Sequence, residues 1–318
     1  MIPGILFFTP MPEPFLGIHS VSKKYEDHLA VDAVSLSVPA GAIYGLLGPN
    51  GAGKTSIIRM ITGITAPDSG SITFHGEPLH PRHAAVTGYM PEERGLYKKM
   101  KVKEQIVYLL MLKGMAGTKA RAAADDWLEK LELTDWANKK TSDLSKGMQQ
   151  KVQFITTVAH DPKLLILDEP FSGLDPVNTQ VIESEIKRMK AAGTTIIFST
   201  HRMEQVEELC DNIALIDRGR VLLENSIQMV RRQFQKNVYH IEFEGSQAHL
   251  TALPGVDWVS LTDRAGILKL AEGYTQKQML RTLIDSPVEL LRFEQHLPRL
   301  NEIFIELVSK SKKEKVIA

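Results

Sequence analysis

The sequence predicts an α/β fold: a largely parallel sheet covered on both faces, carrying a small antiparallel sheet and a helical block, followed by a small ferredoxin-like α/β domain. Three observations predict it. The run Gly48-Pro49-Asn50-Gly51-Ala52-Gly53-Lys54-Thr55 fits the pattern G-x-x-x-x-G-K-[ST] at every fixed position, between an apolar strand-like stretch (42–47) and a helix-like one (56–62). Two further apolar strands, 164–167 and 194–199, end in polar clusters, Asp168-Glu169-Pro170 and Thr200-His201. Such strands alternating with helices make a parallel sheet, with ligand residues at the carboxyl strand ends. After about Arg220 the pattern changes to β-α-β-β-α-β-α, the order of a ferredoxin-like domain.

The 318 residues are 43% hydrophobic, ample for a large core and enough for two domains. Basic and acidic side chains balance at 38 each, so the chain lacks the basic footprint of a nucleic-acid binder. Cys210 is the only cysteine, which excludes an intrachain disulfide and suits a reducing compartment. Apolar runs such as Ile196-Ile197-Phe198 fall far short of the roughly 20 residues that span a bilayer, so the chain reads as soluble or as peripheral to a membrane through a partner. Residues 1–15 are apolar, broken by Pro3, Pro10, Pro12 and Pro14, and lack the basic start of a signal peptide. They read as a ragged N-terminus or as the product of an upstream start.

Each element follows from local pattern. Residues 18–25 read as a short strand and turn, 31–38 alternate as a half-buried strand, and 72–74 form a third strand after the turn Pro67-Asp68-Ser69-Gly70. Together they predict a small antiparallel sheet beside the glycine-rich loop. Over 103–115, Ile106, Val107, Leu109, Leu110, Leu112 and Met115 recur at near-helical spacing, and 119–131 is amphipathic through Ala123, Ala124, Trp127, Leu128 and Leu131. The Met and Trp residues of this helical block read as core packing. In the C-terminal part, 238–244 alternates as a strand, and 247–252 reads as a helix. Stretches 258–261 and 267–270 flank the turn Asp263-Arg264-Ala265-Gly266, 276–284 reads as a helix, 288–293 as a strand and 300–308 as an apolar helix. The expected boundaries are a ragged start (1–17), a core (18–223, with the helical block at about 97–160), a C-terminal domain (224–309) and a basic tail (310–318). The tail reads as a solvated, frayed end or as a contact for anionic lipid headgroups.

The chemistry sits in the first part. Glycines in the run Gly48 to Thr55 let the backbone wrap a polyphosphate, and the amides and helix N-terminus then face its charge. Lys54 reaches for the β- and γ-phosphates and the Thr55 hydroxyl for Mg²⁺, with Ser56 next in the helix. Asp168 is placed to hold Mg²⁺ through its water shell and Glu169 to polarise an attacking water. Leu144-Ser145-Lys146-Gly147-Met148-Gln149 precedes a helix expected to start near Gln150; there Ser145 and the Gly147 amide face an anion, or Ser145 is an ordinary N-cap. Ser172-Gly173-Leu174-Asp175 follows the acid strand, and His201 stands at the tip of the later one as a sensor or transition-state group.

In this order the motifs resemble those of ATP-binding cassette (ABC) ATPases, a P-loop NTPase family, and the resemblance covers about 18–223. It implies that Tyr25 stacks on adenine with Val31 beside the base, that Glu169 is the catalytic base and His201 the switch histidine, and that Ser145 and Gly147 grip the γ-phosphate of the opposite subunit. Two departures stand out: Lys146 and Met148 replace the third and fifth residues of the usual Leu-Ser-Gly-Gly-Gln signature, and Glu92 stands where a metal- and water-contacting Gln is usual. A carboxylate at 92 still binds metal but adds negative charge near the phosphates. The stretch Pro91-Glu92-Glu93-Arg94-Gly95-Leu96-Tyr97, the Leu-Ser-Lys-Gly signature and the ending Asn301-Glu302-Ile303-Phe304 resemble the ATP-binding subunits of ABC-2-type exporters of the sodium-efflux and drug-export kind.

The resemblance implies ATP and Mg²⁺ as ligands, a head-to-tail dimer with a second copy, separate transmembrane permease subunits, and a place at the cytoplasmic membrane face, with no nucleic-acid partner. The alternative is a soluble, non-transport ABC ATPase working as a nucleotide-dependent switch. Ribosome-acting relatives carry two cassettes where this chain has one, and DNA-repair or chromosome relatives split the cassette with a long coiled coil where this chain has a short helical block. The C-terminal domain reads as a ligand sensor or dimer brace, or as a packing appendage.

Overall fold

The computed structural model describes residues 14–251 and 253–314, with side chains through 309. Residues 1–13 of the stretch read as a ragged start, and all side chains of the basic tail, lie outside the described residues. The chain divides into two compact units, Met1–Ile227 and Gln228–Ala318.

In the first unit the run begins with β1 (Leu16–Tyr25), β2 (His28–Val38), β3 (Ile43–Leu47), α1 (Lys54–Ile61), β4 (Ser69–Phe74), β5 (Glu77–Pro78) and β6 (Thr87–Met90). The helical block follows: α2 (Val102–Leu112), α3 (Gly117–Lys130) and α4 (Lys146–Val158). Then come β7 (Leu164–Asp168), α5 (Pro176–Ala191), β8 (Thr195–Ser199), α6 (Met203–Leu209), β9 (Asn212–Asp217) and β10 (Arg220–Ser226). The antiparallel sheet has the order β2-β1-β4-β5, and the larger sheet β10-β9-β3-β8-β7-β6. Strands β9, β3, β8, β7 and β6 run parallel; β10 returns antiparallel to β9.

Every residue of β3, β7 and β8 is buried, as strands covered on both faces require. One core cluster joins the two sheets: Ile18, Val21 and Leu36 from the antiparallel sheet meet Ile57, Ile58 and Ile61 of α1 and Leu46, Ile166 and Ile197 of the parallel sheet. In the helical block Trp127 is buried edge-to-face against Phe154, 6.1 Å between ring centroids. The packing role expected of the block's methionines fails at Met111, which is half exposed beside the exposed Leu112. Helix α2 buries Val102, Gln105, Ile106 and Leu110, half-buries Val107 and Leu109, and exposes Tyr108, Met111 and Leu112.

The structure departs from the sequence reading in several places. Helix α4 starts at Lys146, not near Gln150, because the Ser145 Oγ accepts the Met148 N–H and caps it. Strands β6, β9 and β10 and helices α5 and α6 were not anticipated. β6 is four residues of mixed character, with Gly88 so close to α4 that a Cβ would stand 2.4 Å from the Thr157 carbonyl oxygen. α5 does carry a legible start, Asp175-Pro176: the Asp175 carboxylate caps Asn178 N–H and the proline takes the first helical position. The first unit runs past 223 because β10 stays paired with β9 as far as Ser226.

The second unit begins within α7 (Ile227–Gln233) and holds β11 (Val238–Glu244), β12 (Val256–Leu261), β13 (Ala265–Leu270), α8 (Gln276–Ile284), β14 (Glu289–Gln295) and α9 (Leu300–Glu314). Its sheet order, β12-β13-β11-β14 with all neighbours antiparallel, is the ferredoxin-like arrangement. The helix expected over 247–252 is reduced to a single 3₁₀ turn, Gln247–His249, capped by Ser246. A core of its own, built on Tyr239, Ile241, Phe243, Leu268, Met279 and Leu283, holds the unit together.

Candidate active site

Because β3, β8, β7 and β6 are neighbours, the loops leaving their carboxyl ends stand side by side. Residues from points far apart in the chain therefore converge on one cleft of about 420 Å³, among them Tyr25, Lys54, Thr55, Glu92, Asp168 and Glu169, with His201 at its rim. Asn50, Gly51, Ala52, Gly53 and Ser56 also line it.

The loop's shape depends on its glycines. Gly48 has φ +151°, and a Cβ there would stand 2.2 Å from the Ile216 carbonyl oxygen. Gly53 has φ +106° and caps α1, with room for no Cβ against the Ala30 carbonyl oxygen at 2.4 Å. A turn after β9 props the loop: Gly219 N–H donates to the Ala52 carbonyl at 2.8 Å, and Asp32 N–H donates to the Gly219 carbonyl at 2.9 Å. No acidic residue occupies the first turn of α1, so its positive end is free to face an anion.

Lys54 is buried and folds back on the loop, donating from Nζ to the carbonyls of Gly48 at 2.7 Å and Pro49 at 3.0 Å. Burial pushes its ammonium down from the ordinary lysine value, while Asp168, Glu169 and Glu92 pull it back up. Asp168, 4% exposed, is pushed up chiefly by burial; Ser199 opposes this, Glu92 and Glu169 add to it, and Lys54 opposes it. The cleft thus sets three acids around one lysine and is short of positive charge.

Glu169 follows β7 with φ +49°, a left-handed conformation uncommon for a non-glycine residue, and its N–H donates to the Ser199 carbonyl of β8 at 2.9 Å. Its carboxylate is held on both oxygens. Oε1 accepts the His201 backbone N–H at 2.9 Å and lies 2.6 Å from His201 Nδ1; Oε2 accepts from Thr200 Oγ1 at 3.1 Å. An ionised carboxylate only accepts, so Nδ1 carries the proton.

Not every candidate residue reaches the cleft. Val31 is fully buried in the core, and Ala30 lines the cleft with His28. The register Lys23↔Val31, Lys24↔Leu29 leaves Ala30 as an extra residue, a bulge just before the alternating run 31–38; Val31, which the resemblance placed beside the base, is in the core instead. Gly48 and Pro49 shape the loop through their carbonyls and do not line the cleft. Ser145 and Gly147 lie outside it, where a Cβ on Gly147 would stand 3.3 Å from the Gly173 carbonyl oxygen.

Known proteins are similar to this chain in sequence and fold. Residues 31–172 match the family model described as ABC transporter, and 226–308 match the C-terminal domain of DrrA1-3-like ATP-binding proteins. The uncharacterized ABC transporter ATP-binding protein YhaQ of Bacillus subtilis (strain 168) is 42% identical, over 92% of this chain and 98% of its own length. The chain belongs to the ABC transporter ATP-binding proteins. As a member of the family it binds ATP and is an ATPase. A Nod factor export ATP-binding protein I of Paraburkholderia xenovorans (strain LB400) is 38% identical over 68% of this chain and 72% of its own. Among solved structures, an ATP-binding subunit of an ABC transporter superposes with a TM-score of 0.65 at 30% identity, covering 69% of this chain and 93% of the other. A dimeric bacterial cassette matches in fold, with a TM-score of 0.62 at 24% identity, covering 67% and 98%. In this ABC chain the residues missed from sequence are Ala30, His28 and the Gly219 prop; only a strand bulge and a later hairpin bring them to the cleft, and no local signal marks them.

Proposed function

We propose that this chain powers an exporter: two copies sandwich two ATP molecules head to tail, and closure and hydrolysis drive separate transmembrane subunits from the cytoplasmic face of the membrane. One observation carries the dimer. The cleft gathers Lys54, Thr55, Glu92, Asp168, Glu169 and His201, while Ser145 and Gly147, at the N-terminus of α4, lie outside it. One copy thus offers half a site in two separate places, and a partner's α4 N-terminus facing the γ-phosphate completes it.

In this reading Tyr25, 36% exposed at the cleft edge, stacks on adenine. Lys54 exchanges the Gly48 and Pro49 carbonyls for the phosphates. Glu169, fixed by Thr200 and His201, orients the attacking water and takes its proton. The donor set fits a hard cation: Thr55, Asp168 and Glu92 all present oxygen to the cleft. Thr55, Asp168 and Glu92 would hold Mg²⁺ together with oxygens of the nucleotide's phosphates. Bound there, it supplies the positive charge that the cleft lacks.

No helix among the described residues is long and apolar enough to cross a membrane. One feature of the surface supports a membrane partner. Beside the Glu92 loop a cavity of about 400 Å³ is lined by Tyr89, Pro91, Leu96, Leu109 and Leu112, with Tyr97, Tyr108 and Met111 exposed nearby. This is a surface on which a permease segment docks and through which closure pulls. Export is the direction stated in the name of the Nod factor relative.

The test is ATPase activity of the purified chain against protein concentration, for wild type and Glu169→Gln. The expected result is activity rising more than linearly with concentration, lowered at least roughly 100-fold by Glu169→Gln, which traps an ATP-bound dimer. ATP binding with negligible turnover, even with membrane subunits added, sinks the motor reading and favours a nucleotide-dependent switch in which Glu92 suppresses hydrolysis.

A further inference from the structure

Gln150 is 1% exposed and stands one turn into α4, the helix that Ser145 caps. Both ends of its amide are engaged. Oε1 accepts from Arg94 Nε at 3.2 Å, and Nε2 donates to the Pro170 carbonyl at 2.9 Å. Arg94 lies two residues after Glu92, and Pro170 directly follows Glu169. One turn further along α4, Gln153 donates from Nε2 to the carbonyls of Pro91 at 2.8 Å and Glu93 at 3.4 Å. On its other side the Arg94 guanidinium rests on the loop after β7: a Cβ on Gly173 would stand 3.1 Å from Nη2. That same glycine's carbonyl faces Gly147.

We propose that Arg94 is a positioning residue for ATP hydrolysis. Through Gln150 it ties the Glu92 loop to the start of α4 and to the turn carrying Glu169, so that the three respond to nucleotide as one body. The need for such a tie is electrostatic. Glu92 enters a cleft that already holds Asp168 and Glu169, and Lys54 is the cation that all three acids act upon. Unrestrained, the Glu92 loop would swing toward solvent. Arg94 resists this with a planar, rigid donor set, and Gln150 resists it because a buried amide left unpaired is costly. The inference rests on the roles proposed above for Glu92, Glu169 and Ser145.

The experiment uses the full chain as Arg94→Ala, Arg94→Lys, Gln150→Ala and the Arg94→Ala/Gln150→Ala double variant. Wild-type turnover, assayed first, tests the ATPase reading by itself. The tie predicts that Arg94→Ala lowers kcat on the order of tenfold or more with the KM for ATP changed less than about threefold, since the loop around Lys54 is untouched. The double variant falls within about threefold of the worse single one, because both break the same link. Arg94→Lys, which keeps one donor, recovers part of the loss. Hydrogen–deuterium exchange gives a readout independent of turnover. A non-hydrolysable ATP analogue changes exchange in both 91–97 and 168–174 of wild type, but only in 168–174 of Arg94→Ala. If the alanine variant does not fold, the exchange comparison is made on Arg94→Lys, where the response of 91–97 is weakened. The proposal is overturned if kcat stays within about twofold of wild type, if the two substitutions multiply, if KM rises while kcat is kept, or if 91–97 responds to the analogue as in wild type.

Discussion

The larger sheet of the first unit and the sheet of the second are built in opposite ways. In the first, β3, β7 and β8 are buried on both faces and joined by long crossovers, so adjacent strand ends come from residues scattered between 48 and 201. In the second, strands join antiparallel neighbours and alternate buried with half-buried residues, as along β11. Its exposed side chains pair with one another, Arg292 with Glu242 and Glu294 for example. A parallel sheet focuses distant loops on one edge and thereby builds a cleft; an antiparallel sheet of this size, with neighbours joined locally and a core of its own, yields a self-contained platform.

The strongest way to break this comparison is Lys54→Ala. It removes the buried ammonium from the cleft, and ATP affinity and turnover should fall by roughly 100-fold or more, with the second unit's exchange protection unchanged. Equilibrium nucleotide binding and steady-state turnover check this; an affinity within a few-fold of wild type would mean that phosphate is held elsewhere. Phe243→Ala tests the other side. Phe243 is fully buried in the second core, and its truncation should cost about 3–5 kcal/mol there. Protection over 238–295 should collapse while the KM for ATP moves less than about twofold; a tenfold rise in KM would show that the platform communicates with the cleft.

The smallest effect sharpens the picture of the cleft itself. Burial raises the Asp168 carboxyl above its ordinary value, so the ionised form is the costly one, and that cost grows as pH rises through the folded pKa. Without nucleotide, Asp168→Asn should therefore raise the first unit's Tm at neutral pH by about 2–4 °C, for an expected gain of about 1 kcal/mol. The gain should shrink as pH falls into the range where wild-type Asp168 takes up its proton. Thermal unfolding at several pH values checks it; a gain that is flat with pH, or a loss, would show that Asp168 is not strained by burial.

What the sequence determined by itself lies where chemistry and pattern coincide in one short run. The loop from Gly48 to Thr55, the acids after β7 and His201 after β8 each follow an apolar strand, and a strand end fixes which way the next side chains emerge. Ser145 was legible as a helix cap, though the helix starts at its own next residue. The tertiary structure alone decided the rest. A bulge at Ala30 leaves Ala30 and His28 at the cleft and Val31 in the core, and no local signal marks where a strand takes an extra residue. The Gly219 prop reaches Ala52 across more than half the chain's length. Arg94 and Gln150 meet at a separation of 56 residues, where no local propensity carries information about a contact. Local sequence sets backbone state and the side chains on offer; which of them meet is settled by strand order, and strand order is a property of the whole core.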